Sequence, residues 1–303
     1  MRISLGLPPT HHVSGEGGGS TTIGDLGAQA RAAESAGVDA VFVTDHPSPL
    51  DAWVGKGGHN AFDPLVALSF VAASTSAVAL HTNLYVPAYR HPRLTASGVA
   101  TLEHLSGGRV ILGVGAGYLE DEFVALEADF ARRGDRTDEA MVLGRRLWTG
   151  ESVDGRSVFP PPVRAGGPPI WVGGNSRRAA RRAAELGDGW SPFPVTGAQA
   201  ARMGRPEFGP DQLAEGIALI GERSEALGRA TPVAIAYMVP ALTMFASPGW
   251  DAAEVLEEAS ALAAAGVTWL VAALPARSET DWYEQVDRLP ELLSGLHAME
   301  ASP

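Results

Sequence analysis

Short apolar and β-branched runs alternate along this chain with longer Ala/Leu/Glu/Arg stretches whose apolar positions recur every three to four residues. The runs are Ile3 to Leu7, Ala40 to Asp45, Val78 to Val86, Val110 to Gly115, Ile170 to Gly173, a short one near Trp190, Val233 to Val239 and Thr268 to Ala273. Each predicts a buried strand. Helices are predicted from about Asp25 to Ser35, from Asp63-Pro64 onward, from Pro92 to Leu105, in two pieces over Leu119 to Trp148, and over Ser176 to Leu186. Three more follow at about Pro210 to Leu227, Asp251 to Ala264 and Asp281 to Leu296. Aspartate before proline at 63-64 is a cap followed by the proline a first turn tolerates, and Ser106-Gly107-Gly108 is a stop signal. The Pro/Gly-rich segment from Gly150 to Pro169 looks like a linker, yet the βα rhythm resumes after it. Eight strands each followed by a helix predict one domain over residues 1–303, an α/β (β/α)8 TIM barrel with insertions in the loops at its C-terminal face. An open doubly wound sheet would carry a G-x-G-x-x-G turn after its first strand, and this chain has His11-His12-Val13-Ser14-Gly15 there.

A barrel concentrates chemistry where its strands end. Asp45-His46 closes the second strand; a histidine beside a carboxylate can hold or pass a proton near neutral pH, and it can equally cap a turn before Pro47. Asn83, near the end of the third run, suits either a ligand contact or an interior hydrogen bond. Gly113-Val114-Gly115-Ala116-Gly117 closes the fourth strand and would let a flat ligand or a phosphate approach the backbone, although tight packing would also select glycine there. It is not a dinucleotide fingerprint, because Tyr118 stands where the third glycine belongs. Of Tyr118, Glu120 and Glu122, at least one should face the mouth. At the fifth strand Gly173-Gly174-Asn175-Ser176 runs into a helix beginning Arg177-Arg178-Ala179-Ala180-Arg181-Arg182. Cations oppose the dipole of a helix's first turn, and a bound anion reverses that sign, so this reads as a phosphate cradle; the alternative is a solvated basic face paired with acidic neighbours.

Composition narrows the partners. The 303 residues hold 23 Lys and Arg against 35 Asp and Glu, a net charge of −12, which argues against nucleic acid and anionic membranes. There is no cysteine, so disulfides, thiolate nucleophiles and Cys-ligated metals are excluded. The eight histidines show no H-E-x-x-H or H-x-x-E-H spacing, so no metal is expected. The opening residues lack a signal-peptide core and no 18-residue apolar stretch follows, so a cytoplasmic, soluble protein is expected.

Together these motifs resemble the luciferase-like monooxygenase superfamily, and within it the coenzyme F420-dependent oxidoreductase branch. The resemblance runs over nearly the whole chain. It is carried by Glu34 to His46, by Thr82-Asn83-Leu84-Tyr85-Val86-Pro87-Ala88-Tyr89-Arg90-His91-Pro92, by Leu105 to Arg109, by Leu112 to Tyr118, by Gly167 to Ser176 and by Gly187-Asp188-Gly189-Trp190. It implies a flavin or deazaflavin in the barrel mouth, with a non-proline cis peptide at Asn83-Leu84 behind the ring and His46 beside the reactive carbon. It also implies backbone contacts from Gly115, Ala116 and Gly117, and a phosphate loop at Gly173, Gly174 and Asn175 backed by Arg177 and Arg178. Asp45 would orient His46 or cap the loop, while Trp53, His59, Tyr118, Trp190 and Met238 are pocket candidates.

The activity implied is F420-dependent hydride transfer with a small organic substrate. The acidic tail of F420 suits an arginine-lined mouth; an FMN-dependent monooxygenase using oxygen is the alternative, and a non-catalytic flavin- or deazaflavin-binding protein is the reading of another class. A homodimer is implied, with apolar faces on the last helices as its surface, and so is a separate cofactor reductase or dehydrogenase. The loops from His11 to Ser20 and from Pro47 to Asn60 would face the substrate. One departure from the family pattern is Glu127, where relatives often carry glycine.

Overall fold

The computed structural model describes residues 1–8, 25–56, 58–195, 197, 200, 206–243, 246, 249–276 and 278–300. The His11 to Ser20 loop lies outside the described residues. Eight parallel strands close into a barrel in chain order: β1 (Arg2–Gly6), β2 (Ala40–Val43), β3 (Ala79–Thr82), β4 (Val110–Val114), β5 (Ile170–Gly173), β6 (Gly189–Ser191), β7 (Ala234–Met238) and β8 (Trp269–Ala272). Closure is carried by β1, which pairs with β2 through Ser4 and Ala40 and with β8 through Ile3 and Leu270. The helices are α1 (Leu26–Ala36), α2 (Asp51–Val54), α3 (Pro64–Ser74), α4 (Pro92–Leu105), α5 (Glu120–Ala125), α6 (Arg133–Trp148), α7 (Arg177–Leu186), α8 (Pro210–Ala226), α9 (Ala252–Ala264), α10 (Glu279–Val286) and α11 (Leu289–Glu300).

Strand residues alternate between two cores, which is why the sequence shows nearly continuous apolar runs. Ile3, Leu5, Val41, Val43, Leu80, Leu112, Ile170 and Val172 face the helices, whereas Phe42, Ile111, Trp171, Met238, Trp269 and Val271 fill the barrel interior. Side-chain caps set where helices begin. Asp25 accepts from the Ala28 N–H, Asp63 from those of Leu65 and Val66, His91 from that of Arg93, Ser176 from that of Ala179, and Asp251 from those of Ala253 and Glu254. Each satisfies donors that the first turn leaves without an intrahelical partner.

Three details differ from the sequence expectations. The third strand stops at Thr82, because the backbone turns at a cis Asn83-Leu84 peptide before Tyr85 bridges back to Val114. The final helix is two, α10 and α11, divided at Asp287 and Arg288. The apolar faces of these last helices are spent inside the molecule: Trp282, Val286, Leu289, Leu292, Leu293 and Leu296 are buried. The exposed apolar face lies instead on α3, a helix of almost wholly apolar composition that leaves Val66 and Phe70 in solvent, and on α4 at Leu94 and Leu105. Among the described residues no helix is long and apolar enough to cross a membrane.

Candidate active site

The C-terminal end of β2 delivers Asp45 and His46, and the structure sends them to different partners. Asp45, 3% exposed, accepts two hydrogen bonds from the Arg90 guanidinium at 2.6 and 2.9 Å and a third from the Val86 N–H at 2.9 Å. Burial raises its pKa, and those three donors act in the opposite direction. Arg90 also reaches Asp63 and lies 4.5 Å from the centre of the Tyr85 ring, so this cluster ties β2 to the segment after β3 and to the start of α3. The expected orienting role of Asp45 is therefore corrected: its carboxylate belongs to Arg90.

The carboxylate on His46 is Glu122. It is fully buried on α5, and its Oε2 lies 3.0 Å from His46 Nδ1. The same oxygen accepts the Tyr89 hydroxyl at 2.9 Å, and Oε1 accepts the Ser48 N–H at 3.2 Å. Burial pushes the Glu122 pKa up, but the His46 hydrogen bond and charge, with Tyr89 and Ser48, outweigh it and hold the carboxyl below its ordinary value. Tyr89 is driven upward by burial and by the neighbouring Glu122 charge, so it stays a donor. Glu122 comes into place because it shares the inward side of α5 with the fully buried Phe123. Glu120 and Tyr118 are exposed.

On its other sides His46 meets aromatic rings. The Trp53 centroid lies at 5.0 Å, that of His59 at 4.8 Å and that of Tyr118 at 5.8 Å, and the Tyr118 hydroxyl stands 3.5 Å from His46 Nε2. The structure thus brings Trp53, His59 and Tyr118 together at His46. It does not bring Trp190 or Met238: Trp190 donates to the Gly174 carbonyl at 3.0 Å and packs on Phe208, while Met238 sits in the barrel interior.

The cis Asn83-Leu84 peptide stands at the end of β3, next to β2. Asn83 is half-buried, its N–H donates to the Val43 carbonyl at 2.8 Å, and its side-chain amide makes no hydrogen bond among the described residues. Leu84 lies across the ends of β4 and β5. A Cβ at Gly173 would stand 1.9 Å from Leu84 Cδ1, and one at Gly115 would stand 3.1 Å from the same atom. Packing against Leu84 therefore accounts for both glycines, the alternative that the sequence left open at Gly115 but not at Gly173. Gly117 is required by its backbone, at φ +81°.

At the fifth strand Ser176 caps α7, and Asn175 spends its side chain on Phe193, donating to its carbonyl at 2.7 Å and accepting its N–H at 2.8 Å. Arg178 is turned to α6, bonding Asp135 and Asp138, and Arg182 bonds Asp138 and the Gly134 carbonyl. The expectation that Arg178 backs a phosphate is corrected here: two aspartates already hold it. Arg177 is exposed and has no ion pair among the described residues, and the Ser176 hydroxyl takes only the Ala179 N–H, so the first amides of α7 stay available to an anion. A recess of about 390 Å³ between α7 and α8, lined by Arg181, Glu185, Glu222 and Arg223, opens on the outer helical layer and contains none of these residues. No group of three or more metal-ligating side chains occurs among the described residues.

A cis peptide at the end of β3, a carboxylate-backed histidine at the end of β2 and an uncovered helix start at the end of β5 share one mouth. A family model described as luciferase-like monooxygenase matches residues 1–297. The chain belongs to that family. Among curated relatives, this luciferase-like chain is 37% identical over 177 residues to an F420-dependent hydroxymycolic acid dehydrogenase of Mycobacterium tuberculosis, covering 54% of this chain and 48% of the relative. It is 33% identical over 219 residues to an F420-dependent glucose-6-phosphate dehydrogenase of Nocardia farcinica, covering 68% of this chain and 62% of the relative. The chain thus spans less than two thirds of the length of either. Among solved structures, a monooxygenase from Streptomyces bottropensis superposes with a TM-score of 0.75 at 19% identity, covering all of both chains. An F420-dependent secondary alcohol dehydrogenase superposes with a TM-score of 0.73 at 18% identity, covering 97% of this chain and 98% of that one. These two share the fold.

Proposed function

We propose that this chain is a coenzyme F420-dependent oxidoreductase that exchanges a hydride with a small organic alcohol or carbonyl. The observation that carries the reading is His46: a nearly buried imidazole with its Nδ1 on a buried carboxylate and its Nε2 on the side of Tyr118. The curated relatives at 33 to 37% identity, both named for F420, support the choice of cofactor. The residues present fit such a group. Asn83 offers a side-chain amide without a hydrogen-bond partner among the described residues, Leu84 a half-buried apolar surface for a flat ring, Ala116 and Gly117 backbone at the end of β4, and Gly174 with the first amides of α7 and Arg177 a place for a phosphate.

Bound there, the deazaflavin supplies a carbon that accepts or returns a hydride. The protein does the rest. His46 Nε2 takes the hydroxyl proton of an alcohol as the carbonyl forms, or returns it in the reverse direction. Trp53, His59 and Tyr118 wall that nitrogen and limit its access to water. Arginines at the mouth favour F420 over FMN less than the sequence suggests, since Arg178 and Arg182 serve aspartates and leave the exposed Arg177 at the start of α7.

The partners follow from the same reading. The protein works in the cytoplasm, a second copy covers the apolar face of α3 and α4, and a separate F420 reductase or dehydrogenase resets the cofactor. The test is turnover: oxidised F420 with a panel of small alcohols, and reduced F420 with the matching ketones and aldehydes, each followed through the deazaflavin absorbance. Change in that absorbance dependent on protein and substrate is expected. Oxygen consumption with reduced FMN, and none of that change with F420, would replace the proposal with the monooxygenase.

A further inference from the structure

We infer that Glu122 is the positioning residue of His46, fixing which ring nitrogen carries the proton and presenting Nε2 as the working nitrogen. The inference deepens the proposed function, since it assigns a device to the group that this function uses. Glu122 is fully buried, and besides the His46 ring at 3.0 Å its carboxylate meets two donors, the Tyr89 hydroxyl at 2.9 Å and the Ser48 N–H at 3.2 Å. A carboxylate so supplied can only accept. Nδ1 of a neutral His46 must therefore carry the hydrogen, and the lone pair stands on Nε2, 3.5 Å from the Tyr118 hydroxyl. Had Nε2 carried it, two acceptors would face each other in a buried place, a costly arrangement.

The rest of the surroundings leaves that assignment to Glu122 alone. Trp53 and His59 contact the ring through their faces and edges, Tyr118 adds a hydroxyl 3.5 Å from Nε2, and the other nearby carboxylate, Asp45, is held by Arg90. Ser48 lies two residues beyond His46, so one carboxylate pins both the side chain and the loop that follows it. Tyr89 in turn fixes the second lone pair of Oε2 and packs on Phe123 at 4.6 Å, which makes the carboxylate itself immobile. The geometry joins the ends of β2, β3 and β4 through one anion.

The test uses ¹⁵N-histidine NMR on the ligand-free protein at about pH 9, where imidazole is neutral, so its outcome does not depend on which cofactor binds. His46 is identified by the signal lost in His46→Ala. The wild-type ring is expected to be protonated at Nδ1 and bare at Nε2; the opposite tautomer would overturn the inference even if no Glu122 variant folds. Glu122→Gln is expected to redistribute the proton between the two nitrogens and to lower kcat at least about tenfold, less than the loss from His46→Ala, with cofactor affinity unchanged. Tyr89→Phe keeps the carboxylate and is expected to keep the tautomer. A folded Glu122→Gln protein with the wild-type tautomer would also overturn it. Failure of F420 turnover with the expected tautomer would instead refute the proposed function and leave the positioning intact.

Discussion

Two histidines, His46 and His81, stand at the ends of adjacent paired strands, and their surroundings give them opposite properties. His81 is fully buried in the barrel interior between Phe42 and Trp171, its Nδ1 shares a hydrogen bond with the Ser4 hydroxyl at 2.9 Å, and its Nε2 has no hydrogen-bond partner among the described residues. With no carboxylate nearby, burial pushes its pKa down to about 3, and it is neutral filling. His46 is nearly as buried, but it has the Glu122 carboxylate on Nδ1 and the Tyr118 hydroxyl on the side of Nε2. Under the proposed function burial alone does not mark the working histidine; the buried counter-charge on one nitrogen of His46 is what His81 lacks among the described residues.

Replacing each in turn tests that contrast most strongly. His46→Ala should lower kcat by about 10²- to 10⁴-fold while F420 affinity stays within a few-fold, whereas His81→Leu should leave kcat within a few-fold. Equal losses in the two variants would erase the distinction. The next largest effect concerns the two carboxylates that flank the mouth. Arg90→Ala leaves Asp45 buried without its cation and should cost about 3 to 5 kcal/mol of stability, read by urea unfolding. A cost below about 1 kcal/mol would mean that Asp45 has another partner.

A smaller effect is expected at the glycine under Leu84. Gly173→Ala places a methyl 1.9 Å from Leu84 Cδ1, and the overpacking should cost about 1 to 3 kcal/mol and weaken F420 binding by displacing Leu84. Leu84→Ala in the same chain should restore the stability, which it would not do if Gly173 were kept for the cofactor alone. The smallest change per step of the measurement is a slope. The His81 pKa is near 3 folded and about 6.5 unfolded, so between those values the unfolded chain binds one more proton. Stability is then lost as the pH falls through that window, by about 1.4 kcal/mol per pH unit from this group. His81→Leu should flatten the pH dependence there by that amount.

The fold was legible in the sequence because every strand is a short apolar run and most helices announce their starts with Asp, Ser or Pro. What the sequence could not carry was partnership. Asp45 sits next to His46 in the chain and bonds Arg90, while Glu122 is 76 residues away and bonds the histidine. One signal was available, since Glu122 precedes Phe123 on a short helix and both must face inward together. The arginines of α7 were equally ambiguous: Arg178 and Arg182, one turn apart, match Asp135 and Asp138 on α6, and only the packing of those helices decides it.

Family-like motifs proved to hold structure as well as chemistry. Arg109 donates to the carbonyls of Ala72, Thr75, Val78 and Ser106, Glu34 accepts the N–H groups of Ser76, Ala77 and Val78, and Asp188 accepts the Ile170 N–H. Glu127, at the position where glycine was expected, has φ +54° just past the end of α5, which is the physical reason glycine suits it.

The most direct test of the central claim is equilibrium titration of the ligand-free protein with F420 and with FMN in parallel, read by deazaflavin and flavin fluorescence. Saturable binding of F420 and markedly weaker binding of FMN are expected, with F420 binding reduced in Gly173→Ala and retained in His46→Ala. Preferential binding of FMN would contradict the claim.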